Sequence, residues 1–270
     1  EGIDTSWNRI DGGNAIGSIL NQVEKDFDFT DPSTSVSELV KAYVLVQKLE
    51  DSHWKHIKSE ALKSIIEACA GLYLEAVAET NHSTPNATVK LNIEVINRST
   101  QNIRLLSLVN PNNLGIQKDV LLSKNTKFNF EEHFKIDSEM RPTTPYWLTK
   151  KGTLGMYQVD DSDLIGKPET PRLLNVIFNL FIEGVAISFT KPLVYKTNDP
   201  VKGEVYKPFE IIPEASAKIS EKVIIFENEQ QKEIPVIIKA GRDSLDGFIQ
   251  MKHPKGWRVF PEKQKFTIKY

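Results

Sequence analysis

The chain has 270 residues, 40% hydrophobic and 26% charged, which is enough for a substantial core and too apolar for a disordered protein. Its 34 basic and 36 acidic residues leave a formal net charge of −2, so there is no basic footprint for nucleic acid or an anionic membrane surface. A single cysteine, Cys69, excludes an intrachain disulfide and leaves the redox compartment open.

Residues 1–80 are predicted to be helical. Ile16, Ile19, Leu20, Val23 and Phe27 follow the i, i+3, i+4, i+7 spacing of one buried helix face. Asp31-Pro32-Ser33 breaks the chain, and Ser35-Val-Ser-Glu38 carries a capping-box pattern. Leu39, Val40, Tyr43, Val46 and Leu49 stripe the second helix. Asp51-Ser52 can cap a third, whose expected apolar face is Trp54, Ile57, Ala61, Leu62, Ile65, Ile66 and Cys69, with Gly71 near its end.

The period changes near residue 81, where Asn81-His-Ser-Thr-Pro85-Asn is linker chemistry. Val89, Leu91, Ile93 and Val95 alternate with polar residues, as in a half-buried strand. Phe128, Phe130 and Phe134 do the same, and so do Leu174, Val176, Phe178, Leu180 and Ile182. Turn signals at Asn110-Pro-Asn-Asn113, Gly166-Lys-Pro168 and Asn198-Asp-Pro200 separate these runs. This pattern predicts a β-sandwich-like domain over 81–212. Residues 213–270 read as a second, truncated immunoglobulin-like β module. Its strands are expected over Ile219, Val223 and Ile225, over Ile234, Val236 and Ile238, and over residues 247–251 and 257–270. The fold class is therefore α+β and multi-domain: a helical segment followed by antiparallel sandwich-like modules. The longest apolar run, residues 173–189, is interrupted by Asn175, Asn179 and Glu183 and is no transmembrane segment. The start at Glu1-Gly2 and the strand-like end Phe266-Thr-Ile-Lys-Tyr270 lead us to expect that both ends are cut from something longer.

Candidate chemistry is sparse. His53 and His56 share a helix face, but no third metal ligand follows at a suitable spacing. Asp160-Asp161-Ser162-Asp163 lacks the central glycine and distant glutamate of a calcium loop and reads as a solvated turn. Cys69 sits on an apolar helix face, where cysteine behaves as a small hydrophobe. Asp11-Gly-Gly-Asn14 reads as a helix entry. No nucleophile elbow, phosphate loop or dinucleotide fingerprint is present. Tyr146, Trp147 and Tyr157 flank the loop Lys150-Lys-Gly152-Thr-Leu-Gly155 and are the candidate glycan contacts. Two readings stay open for them. The rings can stack on the C–H face of a sugar, or they can pin the loop to the sandwich core.

Several stretches resemble the C-terminal region of long bacterial LmbE/PIG-L family deacetylases, notably those of Bacteroidetes. They are Gly2-Ile-Asp-Thr-Ser-Trp-Asn-Arg9, Ile66-Glu-Ala-Cys-Ala-Gly71-Leu, Thr144-Pro-Tyr-Trp-Leu148, Gly155-Met-Tyr157, Leu164-Ile-Gly-Lys-Pro168 and Asp199-Pro-Val-Lys-Gly-Glu204. Gly247-Phe-Ile-Gln-Met, Pro254-Lys-Gly-Trp257 and Pro261 are similar to a sandwich domain associated with some α-galactosidases. The first resemblance implies an exported, periplasmic or secreted parent whose upstream catalytic domain is a zinc-dependent N-acetylglucosamine de-N-acetylase. That domain's His-Pro-Asp-Asp motif is missing here, since His253-Pro254 is followed by Lys255-Gly256. The resemblance thus implies a non-catalytic accessory region, with no cofactor or metal of its own. Its expected partners are the upstream catalytic domain and glycan.

Overall fold

The protein is described from a computed structural model covering residue 2 and residues 4–269. Glu1, Ile3 and Tyr270, which belong to the expected chain ends and to the first resembling stretch, lie outside the described residues. The fold is α+β, with a helical N-terminal segment followed by strands in several sheets.

Three helices come first: α1 (Gly13–Lys25), α2 (Val36–Val46) and α3 (Ser52–Cys69). The strands follow as β1 (Tyr73–Ala78), β2 (His82–Ser83), β3 (Thr88–Ile96), β4 (Ile103–Val109), β5 (Gly115–Leu121) and β6 (Lys127–Lys135). Then come β7 (Asn175–Ile182), β8 (Val185–Pro192), β9 (Val194–Asp199), β10 (Gly203–Pro208) and β11 (Glu210–Ile211). The last four are β12 (Ala215–Ile219), β13 (Val236–Ala240), β14 (Ser244–Ile249) and β15 (Gln264–Lys269). Strand β1 falls inside the stretch expected to be helical. Gly71, at positive φ, ends the helical run, and Leu74, Ala76 and Ala78 then alternate inward.

The chain forms two compact units. Unit 1 takes residues through Glu79, Lys90–Phe134 and Arg172–Pro208; unit 2 takes Thr80–Val89, Lys135–Pro171 and residues from Phe209 onward.

Unit 1 holds the helices and two sheets. One sheet has the order β10-β9-β1-β3-β6, with β1 antiparallel to β3 and parallel to β9. The other is an antiparallel sheet, β5-β4-β7-β8. Their alternating residues build the core. Leu91, Ile93 and Val95 of β3, and Val176, Phe178, Leu180 and Ile182 of β7, are buried as the period of two predicts. The second helix buries Leu39, Val40, Tyr43 and Val46, the expected stripe. Two interactions tie the helices to the second sheet's strands and loops: Glu67 of α3 pairs with Lys191 of β8, and the Gln101 side chain donates to the Ser33 carbonyl at 2.7 Å.

Two local expectations are corrected. Ser35 makes no side-chain cap, because a 3₁₀ turn over Pro32–Ser35 runs directly into α2 and leaves no break to cap. Asp31 caps that turn instead, and Glu38 pairs with Lys41. On α3 the buried face is Ser59, Leu62 and Ile66, while Ile57, Ala61 and Ile65 are exposed. Those three lie along an adjacent i, i+4 row, so the apolar stripe is wider than the surface it packs on. The Asp51 cap forms, its carboxylate accepting from the Trp54 N–H at 3.0 Å.

In unit 2, β2 pairs with β11, and β12–β13 and β14–β15 are antiparallel two-stranded hairpins. Each hairpin is amphipathic. Ala217, Ile219, Val236 and Ile238 share one face, as do Leu245, Ile249, Phe266 and Ile268 of the second hairpin. Leu245 is the one buried hydrophobic side chain among described residues 213–269. Strand β12 ends at Ile219, so Val223 and Ile225, expected in a strand, are exposed loop residues. Trp257 also precedes the final strand and packs edge-on against Phe226.

Phe178 is fully buried at the centre of β7. We expect Phe178→Ala to destabilise unit 1 by about 3–5 kcal/mol, read as a lowered midpoint in urea unfolding. A midpoint within error of the parent chain would place the core elsewhere.

Candidate functional site

The three aromatic candidates come together in unit 2, on the long connection between β6 and β7. Pro145 is the N-cap of a 3₁₀ turn over Tyr146–Leu148, and its carbonyl accepts from the Leu148 N–H at 2.8 Å. The Tyr146 N–H donates to Thr170 Oγ1 at 2.9 Å, and its hydroxyl donates to the Lys167 carbonyl at 3.1 Å. These bonds pin the start of the loop to its end. Upstream, the Thr143 N–H donates to the Ile211 carbonyl, which anchors the loop on β11. A tight turn at Thr153–Met156 reverses the chain, with Gly155 at positive φ. Gly152 is required by close approach: a Cβ there would lie 2.8 Å from the Met156 carbonyl oxygen. Lys150 and Asp160 pair across the base of this turn. Asp161 caps a second 3₁₀ turn, Ser162–Leu164, that delivers Ile165.

This folding brings Tyr146, Trp147, Tyr157, Val159 and Ile165 around one open concavity of about 290 Å³. The Tyr146 and Trp147 rings are 4.8 Å apart and perpendicular, at 89°. Both are half-buried, whereas Tyr157 is 64% exposed. The rings are thus neither fully core nor free: Tyr146 anchors the loop and the remaining aromatic surface faces solvent. The Trp147 indole N–H and the Tyr157 hydroxyl have no hydrogen-bond partner among the described residues. A second concavity, in unit 1, lies between α2 and the β7–β8 turn, lined chiefly by Val40, Val44, Leu45 and Val185. Its charged rim is already engaged, Lys41 by Glu38 and Glu183 by the Asn102 N–H.

The other candidates stay apart. His53 packs edge-on against Trp54, and among the described residues no group of three or more His, Cys, Asp or Glu converges as a metal-ligand set. Cys69 is half-buried, and burial pushes its thiol up, away from thiolate character. Asp160, Asp161 and Asp163 serve the loop itself through the ion pair and the cap. Among the described residues no helix is long and apolar enough to cross a membrane.

Sequence reasoning missed a polar cluster on the five-stranded sheet. Glu75 of β1 is 8% exposed. It accepts from Lys196 of β9 at 2.8 Å and from the Tyr206 hydroxyl of β10 at 2.6 Å. The Tyr73 hydroxyl lies 3.4 Å from that of Tyr206, and Glu204 is 3.7 Å from Lys196. Burial works against charge on Glu75, but the hydrogen bonds from Lys196 and Tyr206 outweigh it and hold the carboxyl below its usual range. Burial likewise opposes charge on Lys196, yet Glu75 raises it overall. The Tyr73 hydroxyl is pushed up to about 12, first by burial, and that of Tyr206 is raised too, by burial and by its bond to Glu75. Glu75 and its partners are more than 120 residues apart, so no local spacing announces them.

No protein-family model matches the chain, and no curated protein matches it. Among solved structures it is similar to a Pseudomonas fluorescens alkylpurine DNA glycosylase, AlkC, bound to DNA containing an abasic site analog. The match has 12% identity and a TM-score of 0.22 and covers 65% of this chain and 50% of that one.

The Glu75 cluster makes stability depend on pH at both ends. Glu75 has a folded pKa below its ordinary 4.5, so its contribution is complete above that pH and is lost as pH falls through the lower folded value. Lys196 and Tyr206 are shifted upward, so theirs is complete in neutral solution and is lost as pH rises past their ordinary values of 10.5 and 10.0. We expect Glu75→Gln to cost roughly 1–3 kcal/mol at neutral pH and to flatten the acid limb of the urea-stability profile. An unchanged acid limb would remove Glu75 from this role.

Proposed function

We propose that this chain is a non-catalytic accessory region that contacts glycan, belonging to a larger exported LmbE/PIG-L-like deacetylase. One observation carries the glycan contact: Tyr146, Trp147 and Tyr157, separated by up to eleven positions in the sequence, line one solvent-facing pocket. Aromatic rings present an apolar face that matches the C–H face of a pyranose, and the indole N–H and phenol hydroxyls supply polar contacts to sugar hydroxyls. Pinning through Thr170, Lys167 and Ile211 supports the same reading, since a loop already ordered loses less entropy on binding. The deacetylase context rests on the resembling stretches, and supporting the upstream catalytic domain is the role that follows from it.

A second reading, docking of a protein surface, is favoured by the apolar side chains that the same loop exposes. Leu148, Leu154, Met156 and Ile165 are all exposed. Such a surface suits protein contact better than sugar contact.

The test is a glycan array followed by calorimetry on the intact chain. Trp147→Ala should weaken binding at least about ten-fold with an unchanged circular dichroism spectrum. Wild-type affinity in that variant would show the aromatic site to be wrong. If Leu154→Ser abolished association with the parent's catalytic domain while no glycan bound, the protein-docking reading would replace the first.

A further inference from the structure

We infer that the aromatic pocket takes a single uncharged pyranose, the terminal unit of a glycan, rather than a run of sugars along a chain. This rests on the glycan reading above and specifies its ligand.

Ring geometry is the first ground. Successive sugars along a chain stack on separate ring faces, each of which must be open along the path of the chain. Tyr146 and Trp147 stand at 89° and 4.8 Å, so they form a corner. One ring can stack on a sugar face while the other closes against its edge, and that arrangement stops a chain from continuing across both. Tyr157, Val159 and Ile165 supply the remaining walls.

Size is the second. At about 290 Å³ the concavity sits at the small end of small-molecule sites, which run from about 300 Å³ upward. That is space for about one six-membered ring with its hydroxyls inside the concavity.

Charge is the third. No carboxylate, ammonium or guanidinium lines the pocket. Lys150 and Asp160, in the same loop, pair with one another. A uronate, sulfated sugar or protonated amino sugar would therefore lose hydration without gaining a counter-charge. An uncharged sugar needs only hydrogen-bond partners. Trp147 Nε1–H and the Tyr157 hydroxyl are uncommitted among the described residues, and the Tyr146 oxygen, which donates to Lys167, can still accept.

The experiment is calorimetry on the intact chain. Its probes are glucose, galactose, mannose and N-acetylglucosamine oligomers of one to six units, with galacturonate oligomers of matched length. We expect one site per chain for a neutral series and an affinity that changes by no more than about two-fold beyond the monosaccharide. Matched galacturonate oligomers should bind at least about ten-fold more weakly. Trp147→Phe, which keeps a ring and removes the N–H, should retain binding at a several-fold loss. Affinity that climbs about ten-fold or more with oligomer length, or galacturonate that binds as well as neutral sugar, overturns the single-sugar pocket and leaves the glycan reading standing. No binding to any neutral or anionic series overturns both.

Discussion

Unit 1 depends on the alternation of buried residues along β7. Val176, Phe178, Leu180 and Ile182 are each almost wholly removed from water, and β7 lies between β4 and β8 with hydrogen bonds to both. A central strand with one continuous apolar face cannot slip by a single residue without turning that whole face to solvent. Its register therefore constrains β4 and β8 as well. One irregularity is tolerated, a bulge between Leu105 and Ser107 of β4 that shifts its pairing with β5 and β7 together. Strand β3 plays the corresponding part in the other sheet through Val89, Leu91, Ile93 and Val95.

The two units carry two different kinds of polar chemistry. On the five-stranded sheet, Glu75, Lys196 and Tyr206 satisfy one another, so their charges and hydroxyls are spent on holding β1, β9 and β10 together. A fully partnered cluster of this kind stiffens a sheet and offers little to a ligand. The pocket in unit 2 is the reverse case. Tyr146 is committed to its own loop, while Trp147 and Tyr157 keep a donor and a hydroxyl open. Binding surfaces commonly combine these two properties, an ordered backbone and unsatisfied side-chain groups.

Unit 2 also shows where a sheet pattern stops short of a core. Hairpins β12–β13 and β14–β15 each turn one apolar face to one side, yet among described residues 213–269 only Leu245 is buried. Two-stranded ribbons bury little on their own, because each residue has a partner on one side only.

Much of this fold was legible in the sequence because helices and strands obey local periods. The stripe Leu39, Val40, Tyr43, Val46 and Leu49 and the alternation Val89, Leu91, Ile93, Val95 are set by backbone geometry and survive in any packing. That Tyr146, Trp147 and Tyr157 lie near one another follows from their closeness in sequence and from the tight turn between them; how far each ring is exposed does not. Ser35, Ile57 and Ile65 misled because capping and burial depend on what neighbours an element, which periodicity does not encode. The Glu75 cluster, the perpendicular setting of Tyr146 and Trp147, and which donors remain open were decided by tertiary structure alone. The sequence by itself determined which residues can be buried and which can stack or donate. Only the fold determined which of them meet, because pairing across more than a hundred residues follows from sheet order and not from spacing.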